Sequence, residues 1–344
     1  MITVAGEALI DLVVNRDGRI RARPGGGPFN TARTIGRLGQ APAFLGRLSR
    51  DGFGRLLSAS LDQDGVLMSI PDLVDAPSTI AVVEVDSDGA AQYGFYLAGT
   101  ASAALDFSQL AAALPTHVSA LHAGTLALTM EPIAAGIERL IASTLSPDTL
   151  VMIDPNCRPQ AIRSHRAYRA RLTRILRRAD VVKVSREDLA YLYPEAPASV
   201  AAASMLRLGP KLILLTDGPR PARALLPEQQ ISVEVPEVEV VDTIGAGDAF
   251  GGAFLAWWMG NELTKHDLNR PGPIRAALLA ATQVAAVTCT RVGAEPPWLA
   301  EVEGLPGWRS HLVDGRPADS RAADSRAADS RAADSRAADS EEVR

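Results

Sequence analysis

The sequence is poor in cysteine, lysine and aromatic residues, and each shortage excludes a class of protein. Only two cysteines, Cys157 and Cys289, occur among 344 residues, far apart in apolar segments. They cannot build a disulfide framework or a zinc cluster, so we expect two buried free thiols in a reducing compartment. The 35 basic residues include only three lysines, and aromatic residues make up 5% of the chain. Because no basic stripe alternates with aromatic residues, we expect no nucleic-acid partner.

Long apolar runs and an export signal are also missing. No uninterrupted apolar run approaches the ~18 residues of a membrane helix, and the N-terminal segment MITVAGEALIDLVV has no basic region. We therefore expect a cytoplasmic protein with no membrane association. At 47% hydrophobic and 22% charged residues, with a net charge of −5, the chain is typical of a globular protein with a large core.

The C-terminal residues differ from the rest of the chain. From Pro317 the sequence repeats the pentapeptide ADSRA. A period of five matches neither a helix nor a strand, so no apolar face can form. We expect one folded domain over residues 1–310 and a low-complexity, disordered tail over residues 311–344.

The first 310 residues alternate between strand-like and helix-like segments. Short runs rich in Val, Ile and Leu predict strands at Ile2–Ala5, Ala43–Leu45, Ala120–Ala123, Leu150–Ile153, Val181–Val184 and Leu212–Thr216. Amphipathic segments predict helices at Asn30–Leu38, Arg55–Asp64, Pro132–Ser143, Tyr168–Arg178 and Val200–Leu208. This alternation predicts a parallel sheet covered on both faces, with ligands bound beyond the carboxyl ends of its strands.

Two segments interrupt the alternation. Leu12–Ile20 and Thr79–Leu97 each contain two strand-like runs around an Asp-Gly pair. Such pairs favour hairpins, which are antiparallel and do not fit a parallel core. We expect a small separate β-sheet that covers the ligand crevice as a lid. The alternative is that both hairpins extend the edge of the main sheet.

The segment VDTIGAGDAF (Val241–Phe250) carries the strongest chemical signal. It follows strand-like runs (Ile231–Val235 and Val238–Val241) and precedes a helix-like run, Ala249–Met259. Its two glycines leave backbone amides exposed at a helix start, which suits the charge of a transferring phosphoryl group. An aspartate beside that site makes sense as a base that orients and deprotonates an attacking hydroxyl. The alternative is a helix cap with a tight turn.

Two further segments carry polar groups suited to a ligand. GGGPFNTA (Gly25–Ala32) is neither a P-loop nor a dinucleotide fingerprint, but its glycines permit close approach and Asn30 can bind hydroxyls. DPNCRP (Asp154–Pro159) directly follows a predicted strand, and Arg158 suits a phosphate. The alternative for this second segment is a polar loop with a salt bridge.

These motifs, with GEALIDLV (Gly6–Val13) and KVSREDL (Lys183–Leu189), occur in an order that resembles ribokinase/PfkB-type carbohydrate kinases, most of all the fructokinase branch. The resemblance spans about residues 1–295. It implies a doubly wound, mostly parallel α/β domain with helices on both faces. It also implies a small β lid from about residues 12–20 and 78–98. ATP would be the phosphoryl donor and Mg²⁺ the cofactor, often with a monovalent cation such as K⁺.

The resemblance also assigns roles to residues. It implies Asp248 as general base, with Gly245, Ala246 and Gly247 as the anion hole. The other positions are sugar-binding Asp11, Gly26, Gly27 and Asn30, phosphoryl-proximal Arg158 and Asn156, nucleotide-binding Thr216 and Gly218, Mg²⁺-linked Ser185 and Asp188, and Asp242 and Thr243 at a monovalent-cation site.

Several positions depart from the family pattern. Ser185 and Asp188 replace the Asn and Glu of an NxxE motif, and Pro221 replaces a nucleotide-loop glycine. Leu97 stands where ketodeoxygluconate kinases have arginine, and Pro28 is typical of fructokinases. We therefore expect ATP-dependent phosphorylation of a primary hydroxyl of a small neutral sugar, fructose above others. The alternatives are ketodeoxygluconate kinase, ribokinase, nucleoside kinase, and a non-catalytic sugar or nucleotide sensor. An exposed lid sheet would also allow a homodimer.

Overall fold

A computed structural model describes residues 1–14, 18–85 and 91–308 of the chain. Met1–Trp308 form one compact unit. Residues 15–17 and 86–90, which include most of the two predicted hairpin turns, and the pentapeptide-repeat tail lie outside the described residues, so the prediction for the tail stays a prediction.

The described residues form 13 β-strands and 10 α-helices. The strands are β1 (Ile2–Ala5), β2 (Leu9–Val14), β3 (Ile20–Gly25), β4 (Ala43–Leu45), β5 (Leu67–Met68), β6 (Thr79–Val85), β7 (Ala91–Tyr96), β8 (Ala120–Gly124), β9 (Leu150–Asp154), β10 (Val181–Ser185), β11 (Leu212–Asp217), β12 (Arg220–Leu225) and β13 (Gln230–Val233). The helices are α1 (Gly27–Arg37), α2 (Gly52–Gln63), α3 (Phe107–Ala113), α4 (Ile133–Ser143), α5 (His165–Leu176), α6 (Arg186–Leu192), α7 (Ala198–Leu206), α8 (Ala246–Gly260), α9 (Pro271–Cys289) and α10 (Leu299–Val302).

Nine strands build the main sheet in the order β13-β12-β11-β10-β9-β8-β1-β4-β5. The pairs from β11 to β5 are parallel, whereas β12 and β13 extend one edge in antiparallel fashion. One buried cluster packs α1, α8 and α9 on one face, and a second packs α3 to α7 on the other. All six predicted strands lie in this sheet, and their continuous apolar sequences fit burial on both faces. The predicted doubly wound α/β class is confirmed.

The two predicted hairpins form a separate sheet. Its order is β3-β2-β6-β7, in which β2 pairs antiparallel with β3, β6 pairs antiparallel with β7, and β2 and β6 run parallel. The alternative, that the hairpins extend the main sheet, is therefore wrong. We call these four strands the small sheet. At its β7 edge the Tyr96 side chain is 66% exposed.

Two boundaries near the glycine-rich motif differ from the prediction. The predicted strand Val238–Val241 is absent, because β13 ends at Val233 and the chain then pairs with no strand. Val240 and Val241 are 59% and 54% exposed, and the Val241 amide donates to the Cys289 carbonyl at the end of α9. The following helix begins at Ala246, three residues before the predicted start. Gly247 and Asp248 therefore belong to its first turn.

One helix also departs from the expected absence of long apolar segments. The 19-residue α9 has the length and composition of a membrane span, yet more than half of it is buried within the molecule. It packs against α8 and against β12 and β13. We conclude that α9 is a core helix.

The two cysteines differ in burial. Cys157 is buried and Cys289 is only partly buried, which corrects the expectation of two buried thiols.

Candidate active site

The fold brings most of the predicted site residues to the carboxyl ends of the parallel strands. Asp248 lies in the first turn of α8, and Asn30 lies in the first turn of α1. Asn156 follows β9, and Asp11 lies on β2 of the small sheet. The Asn30 and Asp248 side chains, 218 positions apart in sequence, are hydrogen-bonded to each other. This end of the sheet is where α/β proteins bind ligands.

Asp248 is held by two amide side chains. Asn30 Nδ2 donates to Oδ2 at 2.9 Å, and Asn156 Nδ2 approaches Oδ1 at 3.4 Å. Burial raises the pKa of Asp248 above its ordinary value, although the Asn30 hydrogen bond and the charges of Lys183 and Arg158 oppose the shift. A buried, oriented carboxylate of raised basicity suits a general base better than an exposed helix cap.

The start of α8 presents backbone amides beside this carboxylate. Gly245 has φ +77°, and a Cβ there would overlap Ala294, so only glycine fits. The Ala246 amide donates to the Thr243 carbonyl at 3.2 Å, but the described residues provide no backbone acceptor for the Gly245 and Gly247 amides. Of the three predicted anion-hole members, Gly245 and Gly247 therefore offer their amides to a ligand, whereas Ala246 already has a partner.

The three consecutive glycines serve close packing within the site. A Cβ on Gly25 would overlap the Asp11 carboxylate, and a Cβ on Gly27 would overlap Thr125 Oγ1 and lie 3.3 Å from Asp248 Oδ1. Gly26 has φ +108°, which disfavours other residues. Burial raises the pKa of Asp11 to about 6, and the charge of Asp248 adds to this shift. Gly25 and Gly27 thus leave space for side chains of the site itself, Asp11, Thr125 and Asp248. The sequence by itself suggested that these glycines leave space for a ligand.

The loop after β9 contains the predicted site residues Asn156 and Arg158. It also contacts Thr125, which the sequence did not single out. Arg158 Nη1 donates to Asn156 Oδ1 at 2.7 Å and to the Asn156 carbonyl at 3.1 Å. Asn156 Nδ2 lies 3.4 Å from Thr125 Oγ1. Asn156 and Thr125 both have positive φ angles, +36° and +56°, which non-glycine residues rarely adopt and which concentrate at functional sites. No sequence pattern marks Thr125, because its strain arises from the tertiary structure.

An ion pair that the sequence did not predict, between Lys183 and Asp154 of the predicted polar loop, lies beneath the start of α8. Lys183 Nζ donates to Asp154 Oδ2 at 3.0 Å, and both side chains are less than 5% exposed. Burial lowers the pKa of Lys183, but the charges of Asp154, Asp188 and Asp248 outweigh it and raise the pKa above its ordinary value. The sequence signal was available in Lys183, a rare lysine at the end of a predicted strand.

Ser185 and Asp188 form a reciprocal cap at the start of α6. Asp188 Oδ2 accepts hydrogen bonds from the Ser185 amide at 2.9 Å and hydroxyl at 2.8 Å. Its Oδ1 accepts the Cys157 amide at 2.6 Å, which ties α6 to the loop after β9. No group of three His, Cys, Asp or Glu side chains that could cage a metal occurs in the described residues. A Mg²⁺ ion fits this donor set only when nucleotide phosphates and water supply its other ligands, as is usual for Mg²⁺.

Thr216 and Gly218 lie at the carboxyl end of β11, beside Ser185 of β10. Gly218 has φ +56°, and nothing lies within 4 Å of a Cβ built on it. The neighbouring Asp217 is held by Arg186 and Arg220. This strand end lies at the same carboxyl edge of the sheet as Asn156, and its role in nucleotide binding stays a prediction.

Asp242 and Thr243, the predicted monovalent-cation residues, lie in the loop before α8. Asp242 Oδ1 accepts the Ile244 amide at 3.0 Å, and Oδ2 accepts the Gly293 amide at 2.9 Å. Arg23 Nη1 of β3 lies 3.9 Å from Oδ2. A cation bound at this carboxylate would therefore share it with a guanidinium group from the small sheet.

Comparisons with known proteins agree with this geometry. Residues 1–300 match the model of the pfkB family of carbohydrate kinases. The chain is 35% identical over 274 residues to a fructokinase from Rhizobium leguminosarum bv. trifolii, covering 78% of this chain and 83% of that protein.

Solved structures are similar as well. A fructokinase from Xylella fastidiosa with bound ATP superimposes with a TM-score of 0.78 at 28% identity, covering 87% of this chain and 96% of that one. A double-mutant fructokinase from Vibrio cholerae O395, in a form with fructose, ADP and potassium ion bound, gives a TM-score of 0.74 at 28% identity, covering 85% and 93%. The fold, the arrangement of the site and the family match lead to one conclusion: this chain belongs to the pfkB family of carbohydrate kinases.

Proposed function

We propose that this sugar kinase is a fructokinase, which transfers the γ-phosphoryl group of ATP to a primary hydroxyl of fructose. One observation carries the proposal. The buried Asp248 carboxylate lies between the Asn30 and Asn156 amides, in the same helical turn as the Gly247 amide. A base and an anion site within one turn suit a hydroxyl that attacks a phosphoryl group. The fructokinases named above, solved with ATP or with fructose and ADP, support the same assignment.

In this proposal Asp248 accepts the proton of the attacking hydroxyl. Asn30 fixes one carboxylate oxygen through its hydrogen bond and leaves Oδ1, which Asn156 approaches only at 3.4 Å, for the substrate. The raised pKa of Asp248 makes it a stronger base than an exposed aspartate. As the hydroxyl oxygen bonds to phosphorus and the bond to ADP breaks, the Gly245 and Gly247 amides stabilise the negative charge.

The other residues bind and orient the two substrates. Asp11, on β2 of the small sheet, accepts hydrogen bonds from the sugar hydroxyls. The small sheet closes over the sugar as a lid and excludes water. The charge of Arg158 opposes the upward pKa shifts of Asp11 and Asp248, and it supplies positive charge near the phosphoryl groups. Thr216 and Gly218 hold the nucleotide at the end of β11. Mg²⁺ bound to the ATP phosphates would offset their charge, with Asp188 contributing through water.

The proposed sugar preference rests on two sequence positions, Leu97 and Pro28. Leu97 is half-buried in an apolar cluster and carries no charge, so this position offers no partner for an acidic sugar. Gly6 packs so tightly on Pro28 that a Cβ there would overlap the proline ring. The absence of a cation at Leu97 supports a neutral, unphosphorylated sugar. We also propose a cytoplasmic enzyme that forms a homodimer through the small sheet, whose exposed Tyr96 offers apolar area.

The test is ADP release from MgATP in the presence of fructose, ribose, glucose, ketodeoxygluconate or adenosine, with and without K⁺. We expect strong stimulation by fructose. Stimulation by another acceptor alone would keep the kinase chemistry and refute the sugar assignment. ATP binding without turnover of any acceptor would favour a non-catalytic sensor.

The variant Asp248→Ala tests the role of the carboxylate. We expect it to abolish turnover and to leave the fructose dissociation constant nearly unchanged, because the sugar keeps its contacts with Asp11 and Asn30. Asp148→Ala, at a side chain that is 85% exposed, is the matched control and should turn over like wild type. If Asp248→Ala retains a tenth of the wild-type turnover, Asp248 is not the base.

A further inference from the structure

A buried ammonium group lies directly beneath the proposed anion hole. A Cβ built on Gly247 would come within 2.7 Å of Lys183 Nζ and 3.6 Å of Lys183 Cε. The ammonium therefore occupies the space beside the Gly247 Cα atom. A side chain at position 247 would displace this ammonium group, although φ there is not positive and the backbone itself accepts other residues.

The position of Lys183 is unusual for a lysine. Its side chain is 3% exposed, and buried lysines are rare unless paired. Its one side-chain partner is Asp154 among the described hydrogen bonds and ion pairs, but Asp188 and Asp248 also raise its pKa. Lys183 is thus the shared counter-charge of three carboxylates, one of which is the proposed base.

The charge of Lys183 shifts the pKa values of neighbouring side chains. Burial and the Lys183 charge lower the pKa of the fully buried His122 to about 3, so this ring stays neutral. The same charge opposes the upward shift of the Asp248 pKa. Lys183 therefore has the reach to act on a phosphoryl group placed on the far side of the Gly247 backbone.

We propose that Lys183 supplies the fixed positive charge behind the anion hole and stabilises the phosphoryl group during transfer. The inference rests on the proposed phosphoryl transfer and adds a positioning residue to it. Without this charge, a phosphoryl group at Gly245 and Gly247 would face the carboxylates of Asp248, Asp154 and Asp188. With it, the amides and the ammonium act together on the developing charge, in a site largely closed to water where electrostatic interactions are strong.

The test compares nucleotides that differ in the γ-phosphoryl group. Calorimetry would measure the affinity of Lys183→Met for ADP and for a non-hydrolysable ATP analogue. We expect the analogue to bind about tenfold more weakly than to wild type and ADP within about twofold, because only the γ-phosphoryl group reaches Gly247. With fructose, kcat should fall by about 10²- to 10³-fold while the KM for fructose changes little.

A second variant separates catalysis from folding. Lys183→Met leaves the Asp154 carboxylate buried without its cation, whereas Lys183→Met combined with Asp154→Asn removes both charges. The double variant should regain thermal stability but stay slow and bind the analogue weakly. Lys211→Met, at an exposed lysine, is the matched control and should equal wild type.

Three outcomes overturn the inference. The first is recovery of kcat in the double variant, since Lys183 would then only neutralise Asp154. The second is equal loss of ADP and analogue affinity, which a general structural defect produces. The third is unchanged analogue affinity in a folded Lys183→Met protein. The binding comparison needs no acceptor sugar, so it stands apart from failure of the fructose assignment.

Discussion

Replacing Gly27 by alanine would add one methyl group at the most crowded point of the proposed active site. Gly27 begins α1, and its φ is not in the left-handed region, so alanine is acceptable to the backbone. The new Cβ would, however, overlap Thr125 Oγ1 and lie 3.1 Å from Thr125 Cβ and 3.3 Å from Asp248 Oδ1. The substitution therefore tests site geometry with little other cost.

The magnitude follows from how far the neighbours must move. Relief of the overlap requires a shift of about 1 Å between α1 and Thr125, and a displacement of that size at a catalytic group costs about 10²-fold in rate. Overpacking costs about 1–3 kcal/mol of stability. We expect kcat for fructose to fall about 100-fold, with a Tm only a few degrees lower. ADP release at saturating substrates and a thermal melt measure the two effects.

Two further variants test whether the overlap with Thr125 causes the loss of rate. Gly272→Ala adds the same methyl group to the first turn of α9, where nothing lies within 4 Å, and should leave kcat unchanged. Gly27→Ala combined with Thr125→Ala removes the overlapping hydroxyl and should recover most of the lost rate. A Gly27→Ala enzyme within threefold of the wild-type kcat, or a double variant no faster than the single one, would refute the argument.

Two predictions concern stability. Burial raises the pKa of the fully buried Glu7 to about 8, whereas its unfolded value is near 4.5. Between these two pH values only the native state keeps the proton, so the contribution of Glu7 to stability is full below pH 4.5 and falls by about 1.4 kcal/mol per pH unit up to pH 8. Glu7→Gln should flatten that decline in urea melts at about pH 5 to 8. Arg33 is 4% exposed and donates to the fully buried Asp64 at 2.6 Å, so Arg33→Met should cost about 3 kcal/mol in the same assay. Arg50→Met, in the exposed pair with Asp75, should cost under about 1 kcal/mol, and equal losses for the two arginine variants would contradict the role of burial.

Much of the architecture follows from sequence patterns of short range. The strands from Ile2–Ala5 to Leu212–Thr216 were predictable because a buried parallel strand needs an unbroken apolar run. The Asp-Gly pairs predicted both hairpins, and the antiparallel pairing of the flanking strands separated the small sheet from the main one. The missing strand at Val238–Val241 shows the limit of this signal. An apolar run without a partner strand forms no ladder, and only the assembled sheet shows whether a partner exists.

The candidate site divides in the same way. The amino-acid sequence alone determined the glycine-rich turn, the aspartate that follows it and the polar loop after β9, because each is a contiguous motif with its own local chemistry. The tertiary structure decided that Thr125 has a positive φ and packs beside Gly27, that Lys183 lies beneath Gly247, and that burial raises the pKa of Asp248. These features join residues that are tens to hundreds of positions apart. They depend on how helices pack on the sheet and on how much water that packing excludes, and neither quantity is present in any local stretch of sequence.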